Sequence, residues 1–338
     1  MKVTTDRVLM AHGSGGLMSQ QLIEQVFKNA WNNDYLAPML DGALLDVTAG
    51  KIAMSTDSFV ITPIFFPGGD IGKLAVCGTV NDLVACGANP MYMSTAFIIE
   101  EGFMFSDLKK IAASMAATAR EVGINLVTGD TKVVEKGSAD GIFINTTGIG
   151  IIPPGIDYRP SCIKPGDQVI VSGNIGDHGL AIMARREGLT FSTPAVSDCA
   201  PLYAIGKRLE KYGKEVRCMR DPTRGGLATV LNELAGQAQL GILVRERDIP
   251  VSPVVKGACD MLGLDPFYMA NEGKMVIIVA PGQAEQIITD LRQLPHAKNA
   301  ALIGEVLAEP KNMVLLETEL GAQRIMGVLE GEHVPRIC

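Results

Sequence analysis

The sequence predicts a mixed α/β (α+β) protein of two domains. Three observations carry this. The 338 residues are enough for about two domains of ordinary size. Strand-like and helix-like periodicities alternate in both halves. Between the halves, Pro153-Pro-Gly155 and Lys164-Pro-Gly166 bracket a stretch that neither continues a helix nor pairs as a central strand. The expected division is a glycine-rich segment 1–40, an N-terminal sheet domain 41–155, a C-terminal α/β domain 156–328 and a flexible tail 329–338.

The elements follow in order. A helical pattern covers 17–29, and 43–47, Gly50 and 52–55 read as a hairpin. Over 71–86 apolar residues recur three and four apart and stop at Gly87, which predicts a helix with a glycine cap. Residues 91–99 alternate as a strand. Ser106 is the expected N-cap of a helix reaching Val122, with Gly123 behind it. Strands at 125–128 and 143–152 complete the first half. The second half predicts strands at 168–171, 241–244, 274–279, 300–303 and 313–316. Its helices are expected over 177–187, 201–212, 226–237 and 283–294. Gly331 to Cys338 has no hydrophobic period and reads as an exposed, mobile end.

Composition excludes several classes. Hydrophobic residues make up 47% and charged residues 20%, too apolar for a disordered chain. No 18-residue apolar stretch lacks a charge, so no membrane-spanning helix is expected, and no secretory h-region follows the first residues. The net charge of −7, without a Lys/Arg run, argues against a nucleic-acid groove, and 5% aromatics argue against base-stacking platforms. Seven widely spaced cysteines without a Cys-x-x-Cys are not a disulfide framework and suit a reducing cytoplasm. Six of them sit among apolar or small neighbours, which predicts buried packing.

Familiar nucleotide motifs fail. In Gly68-Gly-Asp-Ile-Gly72-Lys73-Leu74 the spacing is one short of a P-loop, and Leu74 replaces the hydroxyl that holds Mg²⁺. What remains is a set of carboxylates beside apolar runs: Asp41, Asp57, Asp82 and Asp130. Converging, they would suit Mg²⁺, which prefers oxygen ligands; singly, each reads as a turn or cap residue. Asp82 is different, because a helix-interior Asp between Asn81 and Leu83 needs a partner. The loop His12, Gly13, Ser14, Gly15 and Gly16 precedes a helix, and reads either as a phosphate cradle or as a plain turn. Asp221-Pro-Thr-Arg224-Gly-Gly226 is either an anion-binding helix start with Arg224 as counter-charge or a capped turn. Glu272, in an apolar setting, is either a general base with a raised pKa or a hairpin-turn Glu in water. His178, His296 and His333 lack metal-ligand spacing and read as structural or solvent-facing. Cys338 is either incidental or a thiol that carries a covalent group, since its own terminal carboxylate disfavours a free thiolate.

Taken together, these segments resemble the carbamoyl dehydratase (HypE) family of hydrogenase maturation proteins. That family lies within the aminoimidazole-ribotide-synthetase (PurM-like) ATP-binding superfamily. The resemblance spans essentially the whole chain. It rests on the 12–16 loop, Ser55-Thr-Asp57-Ser-Phe, Gly78-Thr-Val-Asn81-Asp82-Leu, Thr128-Gly-Asp130-Thr-Lys132, Asp221-Pro-Thr-Arg224-Gly-Gly226, Asn271-Glu272-Gly273 and the terminal Pro335-Arg-Ile-Cys338. The terminal motif is the specific one; the others mark ATP use across the superfamily.

The resemblance implies a PurM-like two-domain fold and a homodimer paired through its N-terminal sheets. It implies that the Cys338 thiol receives a carbamoyl group from the carbamoyltransferase HypF. ATP then drives dehydration to a thiocyanate, whose nitrile passes to a HypC–HypD complex and becomes a cyanide ligand of iron in NiFe-hydrogenase. It places Asp41, Asp57, Asp82 and Asp130 as Mg²⁺–phosphate ligands. The 12–16 loop, Asn81 and Arg224 fall on the nucleotide, and Lys132, Glu272 and Cys338 on the chemistry. Other ATP users of the superfamily compete with this reading. A selenophosphate synthetase is expected to carry a Cys near its N-terminus, which the first 40 residues lack, and a thiamine-phosphate kinase needs no terminal Cys. A nucleotide-binding scaffold is the non-enzymatic alternative.

Overall fold

The computed structural model describes residues 6–12, 18, 21–33, 50–328 and 337. Gly13, Ser14, Gly15, Gly16, Asp41 and Cys338 lie outside them, as do the expected strand 43–47 and most of the tail. The described part of the first expected helix is a π-helical run Ile23–Lys28 continued by Asn29–Trp31. Phe27 and Trp31 seat it on Phe97, and the Trp31 indole donates to the Ala112 carbonyl at 3.2 Å.

Four strands form the first sheet: β1 (Lys51–Phe59), β4 (Asn89–Glu100), β5 (Asn125–Val134) and β6 (Ile142–Ile152). A ribbon of β2 (Phe65–Phe66) and β3 (Gly69–Asp70) lies between β1 and the first long helix. The sheet order is β1-β6-β4-β5, with only β4 and β5 parallel. Helices α1 (Ile71–Ala85) and α2 (Phe105–Val122) lie against the sheet and each other. Asp70 caps α1 by accepting from the N–H groups of Gly72 and Lys73, the real use of the P-loop look-alike. Helix α2 departs from expectation: Met104 occupies the N-cap with no side-chain bond, and Ser106 falls inside the first turn.

Strand length corrects the reading of two carboxylates. Asp57 and Asp130 were expected at strand ends, but both lie within longer strands, β1 and β5. Alternation therefore decides where they point. Asp57 shares the inner face with buried Phe59, whereas Asp130 and Lys132 stand on the opposite face and are exposed. That outer face also carries Ile52, Met54 and Ile98, which are 56%, 68% and 44% exposed.

The second sheet gathers β7 (Gln168–Val171), β8 (Val216–Arg220), β9 (Gly241–Arg245), β10 (Val276–Val279), β11 (Ala301–Leu307), β12 (Met313–Glu317) and β13 (Gln323–Ile325). Its order is β13-β12-β9-β11-β7-β10-β8, antiparallel except for β12 on β9. The described helices here are α3 (Asp177–Glu187), α4 (Tyr203–Leu209), α5 (Gly226–Ala238), α6 (Pro253–Leu262) and α7 (Ala284–Leu291). Strand β8, helix α6 and strand β13 were not anticipated, being short and without a long period.

One hydrophobic core runs through both halves. Val76, Val80 and Val84 of α1 share it with Leu202, Ile205 and Leu209 around α4. Gly206 permits the crossing, since a Cβ there would lie 2.7 Å from the Val84 side chain. Among the described residues no helix is long and apolar enough to cross a membrane.

Candidate active site

The site forms where the two halves meet. The cavity there holds about 580 Å³ and is lined by Asp57, Asp82, Asp221, Arg224 and Glu272, among others. Strand β1 supplies Asp57, whose backbone carbonyl accepts from the Asn145 amide at 2.9 Å. Helix α1 places Gly78 and Asp82 one turn apart on one face. The lack of a side chain at Gly78 lets α1 approach β1: a Cβ there would be 2.8 Å from the Phe59 ring and 4.0 Å from Asp57 Oδ2. The partner that Asp82 needed is Ser55, whose hydroxyl donates to Oδ2 at 2.6 Å.

The C-terminal half brings two loops to the same cavity. Asp221 and Arg224 follow β8, and Gly225 caps α5 in a left-handed conformation, φ 71°. Glu272 precedes β10. Asn271, fully buried, joins the loops: its Nδ2 donates to the Pro222 and Met269 carbonyls at 2.9 and 3.0 Å, and its Oδ1 accepts from Gly176 N–H at 2.7 Å. Asp198 supports Glu272 from behind, accepting its N–H at 3.1 Å on one oxygen and Lys274 Nζ at 3.0 Å on the other. Gly273 is required between them, because a Cβ there would sit 1.8 Å from the Asp198 carbonyl oxygen.

This convergence raises the affinity of Asp57, Asp221 and Glu272 for protons. Burial first, then the charge of Asp82, lifts Asp57 to about 6, with Arg224 opposing. Burial lifts Asp221 to about 7, helped by Asp82 and Asp57. Glu272 is only 3% exposed, and its Oε1 has no hydrogen-bond partner among the described residues. Burial drives its pKa well above the usual carboxylate value, with Cys199, Asp221, Asp198 and Asp57 adding to it. The hairpin-turn reading of Glu272 is thereby replaced. Cys86 also lines the cavity and is exposed, against the expectation of buried packing.

Other expected residues stand elsewhere. Asp130 and Lys132 pair at 3.8 Å on the outer face of the sheet, and within one chain they do not reach Asp57 or Asp82. Asn81 is a link between the halves rather than a cavity residue: its amide donates to the Ala200 carbonyl at 3.2 Å and accepts from Leu202 N–H at 2.8 Å. His12 is buried edge-on to Phe105, accepts from Leu9 N–H at 2.9 Å, and does not line the cavity. Among the described residues no three His, Cys, Asp or Glu side chains gather as a metal site. Of the expected four, Asp57 and Asp82 line the cavity, Asp130 does not, and Asp41 lies outside the described residues.

Of the tail, only Ile337 is among the described residues. Ile337 is 7% exposed and belongs to the shared core, and His178 Nε2 lies 2.8 Å from its carbonyl oxygen. Sequence reasoning did not single out Asp198 or Lys274, which belong to no short motif; His178, read as structural or solvent-facing, is fully buried. Asp221 opened a quoted segment, at the expected helix start 221–226, and that position was the available signal.

The chain is similar to known proteins over nearly its full length. Residues 40–152 match the AIR synthase related protein N-terminal domain, and 164–317 match the C-terminal domain of the same family. Carbamoyl dehydratase HypE of Bradyrhizobium diazoefficiens is 50% identical over 330 residues, covering 97% of this chain and 95% of that protein. A crystal structure of hydrogenase maturation protein HypE in complex with ATP superposes with a TM-score of 0.94 at 47% identity, covering 98% of this chain and 99% of that one. A crystal structure of a HypE–HypF complex matches with a TM-score of 0.81 at 49% identity, over 91% of this chain and 99% of that one. The chain belongs to the carbamoyl dehydratase HypE family, with the PurM-like two-domain fold of the AIR synthase related proteins.

Proposed function

We propose that this protein uses ATP to dehydrate an S-carbamoyl group on Cys338 to a thiocyanate. The nitrile then supplies the cyanide ligand for the iron of NiFe-hydrogenase. The observation that carries the reading is Glu272: a buried carboxyl with a raised proton affinity and an unbonded oxygen, facing a cavity that also holds Asp57, Asp82 and Arg224.

An amide oxygen is a poor leaving group, so it must be activated. The carbamoyl oxygen attacks the γ-phosphorus of ATP, the bond to the β-phosphate oxygen breaks, and ADP leaves. Loss of one N–H proton gives an imidate phosphate. Loss of the second N–H proton and cleavage of the C–O bond release phosphate and form C≡N. Glu272, when ionised, accepts an N–H proton, and its raised pKa makes it the stronger base. Arg224 balances phosphate charge.

Asp57 and Asp82 fit a Mg²⁺ ion, since burial and then the Asp82 charge raise the cost of ionising Asp57, and carboxylate oxygens suit that cation. Bound there, Mg²⁺ would neutralise charge on the transferred phosphoryl group. We assign Asp41 and the loop Gly13 to Gly16 to the phosphates as the family resemblance implies. His12, at the head of that loop, and Asn81, behind Asp82, act on the nucleotide only through their neighbours.

The exposed Ile52, Met54 and Ile98 support a homodimer paired through the outer face of the first sheet. Asp130 and Lys132 share that face, so their part in phosphate binding and dehydration depends on a second copy. HypF is the carbamoyl donor in this scheme and a HypC–HypD complex the cyanide acceptor. The cytoplasm suits a chain whose described cysteines are all unpaired.

The test is the intact mass of the protein after incubation with HypF, carbamoyl phosphate and ATP. A gain of one carbamoyl on Cys338, followed by loss of one water that Glu272→Ala abolishes, is expected. No adduct on Cys338 beside an active transferase would overturn the assignment.

A further inference from the structure

Asn81 and Asp82 are neighbours on α1, yet they are held by different halves of the protein. Asp82 is tied to β1 through the Ser55 hydroxyl at 2.6 Å and lines the cavity. Asn81 is 1% exposed and does not line it. Its amide is spent on the segment 198–202, which crosses from the C-terminal half without regular secondary structure. Backbone groups in such a segment have no ladder to satisfy them and need other partners. Asn81 supplies two: Nδ2 donates to the Ala200 carbonyl at 3.2 Å, and Oδ1 accepts the Leu202 N–H at 2.8 Å.

The same segment grips Glu272 from its other side. Ala200 N–H donates to the Glu272 carbonyl at 3.2 Å, and Asp198 Oδ1 accepts the Glu272 N–H at 3.1 Å. Both backbone polar groups of Glu272 are therefore bonded to 198–200, and both polar atoms of the Asn81 amide to 200–202. Ala200 takes part in both sets. The segment is stiff: Pro201 has a fixed φ and restricts Ala200 before it, and Cys199, Ala200 and Leu202 are buried. It also lies close against Glu272, since a Cβ on Gly273 would be 3.2 Å from Ala200 N. Glu272 Oε1 has no hydrogen-bond partner among the described residues, so its place in the cavity depends on this backbone grip.

We propose that Asn81 is a positioning residue for Glu272. Through the strap 198–202 it sets the distance between the base on the C-terminal half and the carboxylate Asp82 on the N-terminal half. The phosphoryl group and the N–H proton are then handled at a fixed separation. The proposal rests on the reading of Glu272 as the base.

The test uses the full chain. Asn81→Ala removes both bonds, and Asn81→Leu removes them while nearly keeping the side-chain volume, which separates hydrogen bonding from packing. Hydrogen exchange is followed on peptides covering 198–203 and 270–275, with the β7 peptide as internal reference. Both variants are expected to exchange about tenfold faster in the two segments, the factor for one lost hydrogen bond, and to match the unmodified protein at β7. At saturating ATP the single-turnover rate from carbamoyl to thiocyanate should fall about tenfold to a hundredfold, as a displaced base requires. The dissociation constant for ATP should stay within about threefold, because Asn81 does not line the cavity. A merely structural link would leave the rate of the folded variants unchanged. Faster exchange with an unchanged rate therefore overturns the proposal, as does unchanged exchange, or a lost ATP affinity with an intact rate at saturation. Thiocyanate formation by the unmodified protein is scored in the same samples. Its failure would remove the proposed function while the exchange comparison still reads the strap.

Discussion

Lys274 and Asp198 form a 3.0 Å ion pair whose side chains are 10% and 4% exposed, and the free Asp198 oxygen receives the N–H of Glu272. A charged pair this buried fixes the backbone of the candidate base. Removing one partner leaves the other charge uncompensated in a low-dielectric setting. Lys274→Met should lower the unfolding free energy by about 3–5 kcal/mol. Denaturant titration measures this, and a loss below about 1 kcal/mol would show that the pair is dispensable.

Glu272 is held at a thermodynamic cost. Its folded pKa lies above the unfolded value of 4.5, so its stability contribution is intact below pH 4.5 and is lost as pH rises through the folded pKa. Glu272→Gln removes that loss. The variant should melt about 2–4 °C higher at neutral pH, the change expected for about 1 kcal/mol in a domain of this size. It should also form no thiocyanate. Calorimetry beside the mass assay checks both, and a lower melting temperature would contradict the account of a strained carboxyl.

His178 gives the opposite slope. Burial holds its folded pKa below the unfolded 6.5; Asp198 and the Ile337 carbonyl oppose the shift, and Arg186 adds to it. The unfolded chain then binds the extra proton, so this contribution is intact above pH 6.5 and is lost as pH falls through it. Urea midpoints between about pH 7.5 and pH 5.5 should fall more for the unmodified protein than for His178→Phe. Equal slopes would remove the imidazole from the explanation.

Asp82 is the carboxylate shared by the charge balance of both Asp57 and Asp221. Asp82→Asn should weaken Mg²⁺-dependent ATP binding about tenfold or more, equivalent to about 1.4 kcal/mol. Without Mg²⁺ the variant should bind at least as well as wild type, because a like charge near the phosphates is gone. Isothermal titration with and without the ion separates these effects; identical losses in both would refute a metal-ligand role.

Met54 is 68% exposed on the outer face of the first sheet, beside Ile52. Met54→Asp places a charge in any interface formed there. Sedimentation should show a dimer for the unmodified protein and a monomer for the variant. A variant that stays dimeric would move the interface to another surface.

Much of this architecture was legible along the chain. Apolar residues three and four apart marked α1, α2 and α7, and alternation marked β4 and β6, because these patterns depend only on neighbours a few residues away. The segments carrying Asp57, Asp82, Arg224 and Glu272 stood out for the same reason. They set chemically specific residues beside apolar runs or at turn and helix starts. Asp198 and Lys274 gave no such signal, since they meet each other across a long sequence separation.

The sequence by itself determined the alternation of elements, the resemblance to the carbamoyl dehydratases and the identity of the carboxylates. Only the tertiary structure decided which of them meet. Extension of β1 and β5 beyond their expected ends turned Asp57 inward and Asp130 outward, because successive strand residues alternate faces. Packing of the halves buried Glu272 without a partner and seated Ile337 against His178. Burial and convergence arise from long-range packing, and no local pattern of residues encodes them.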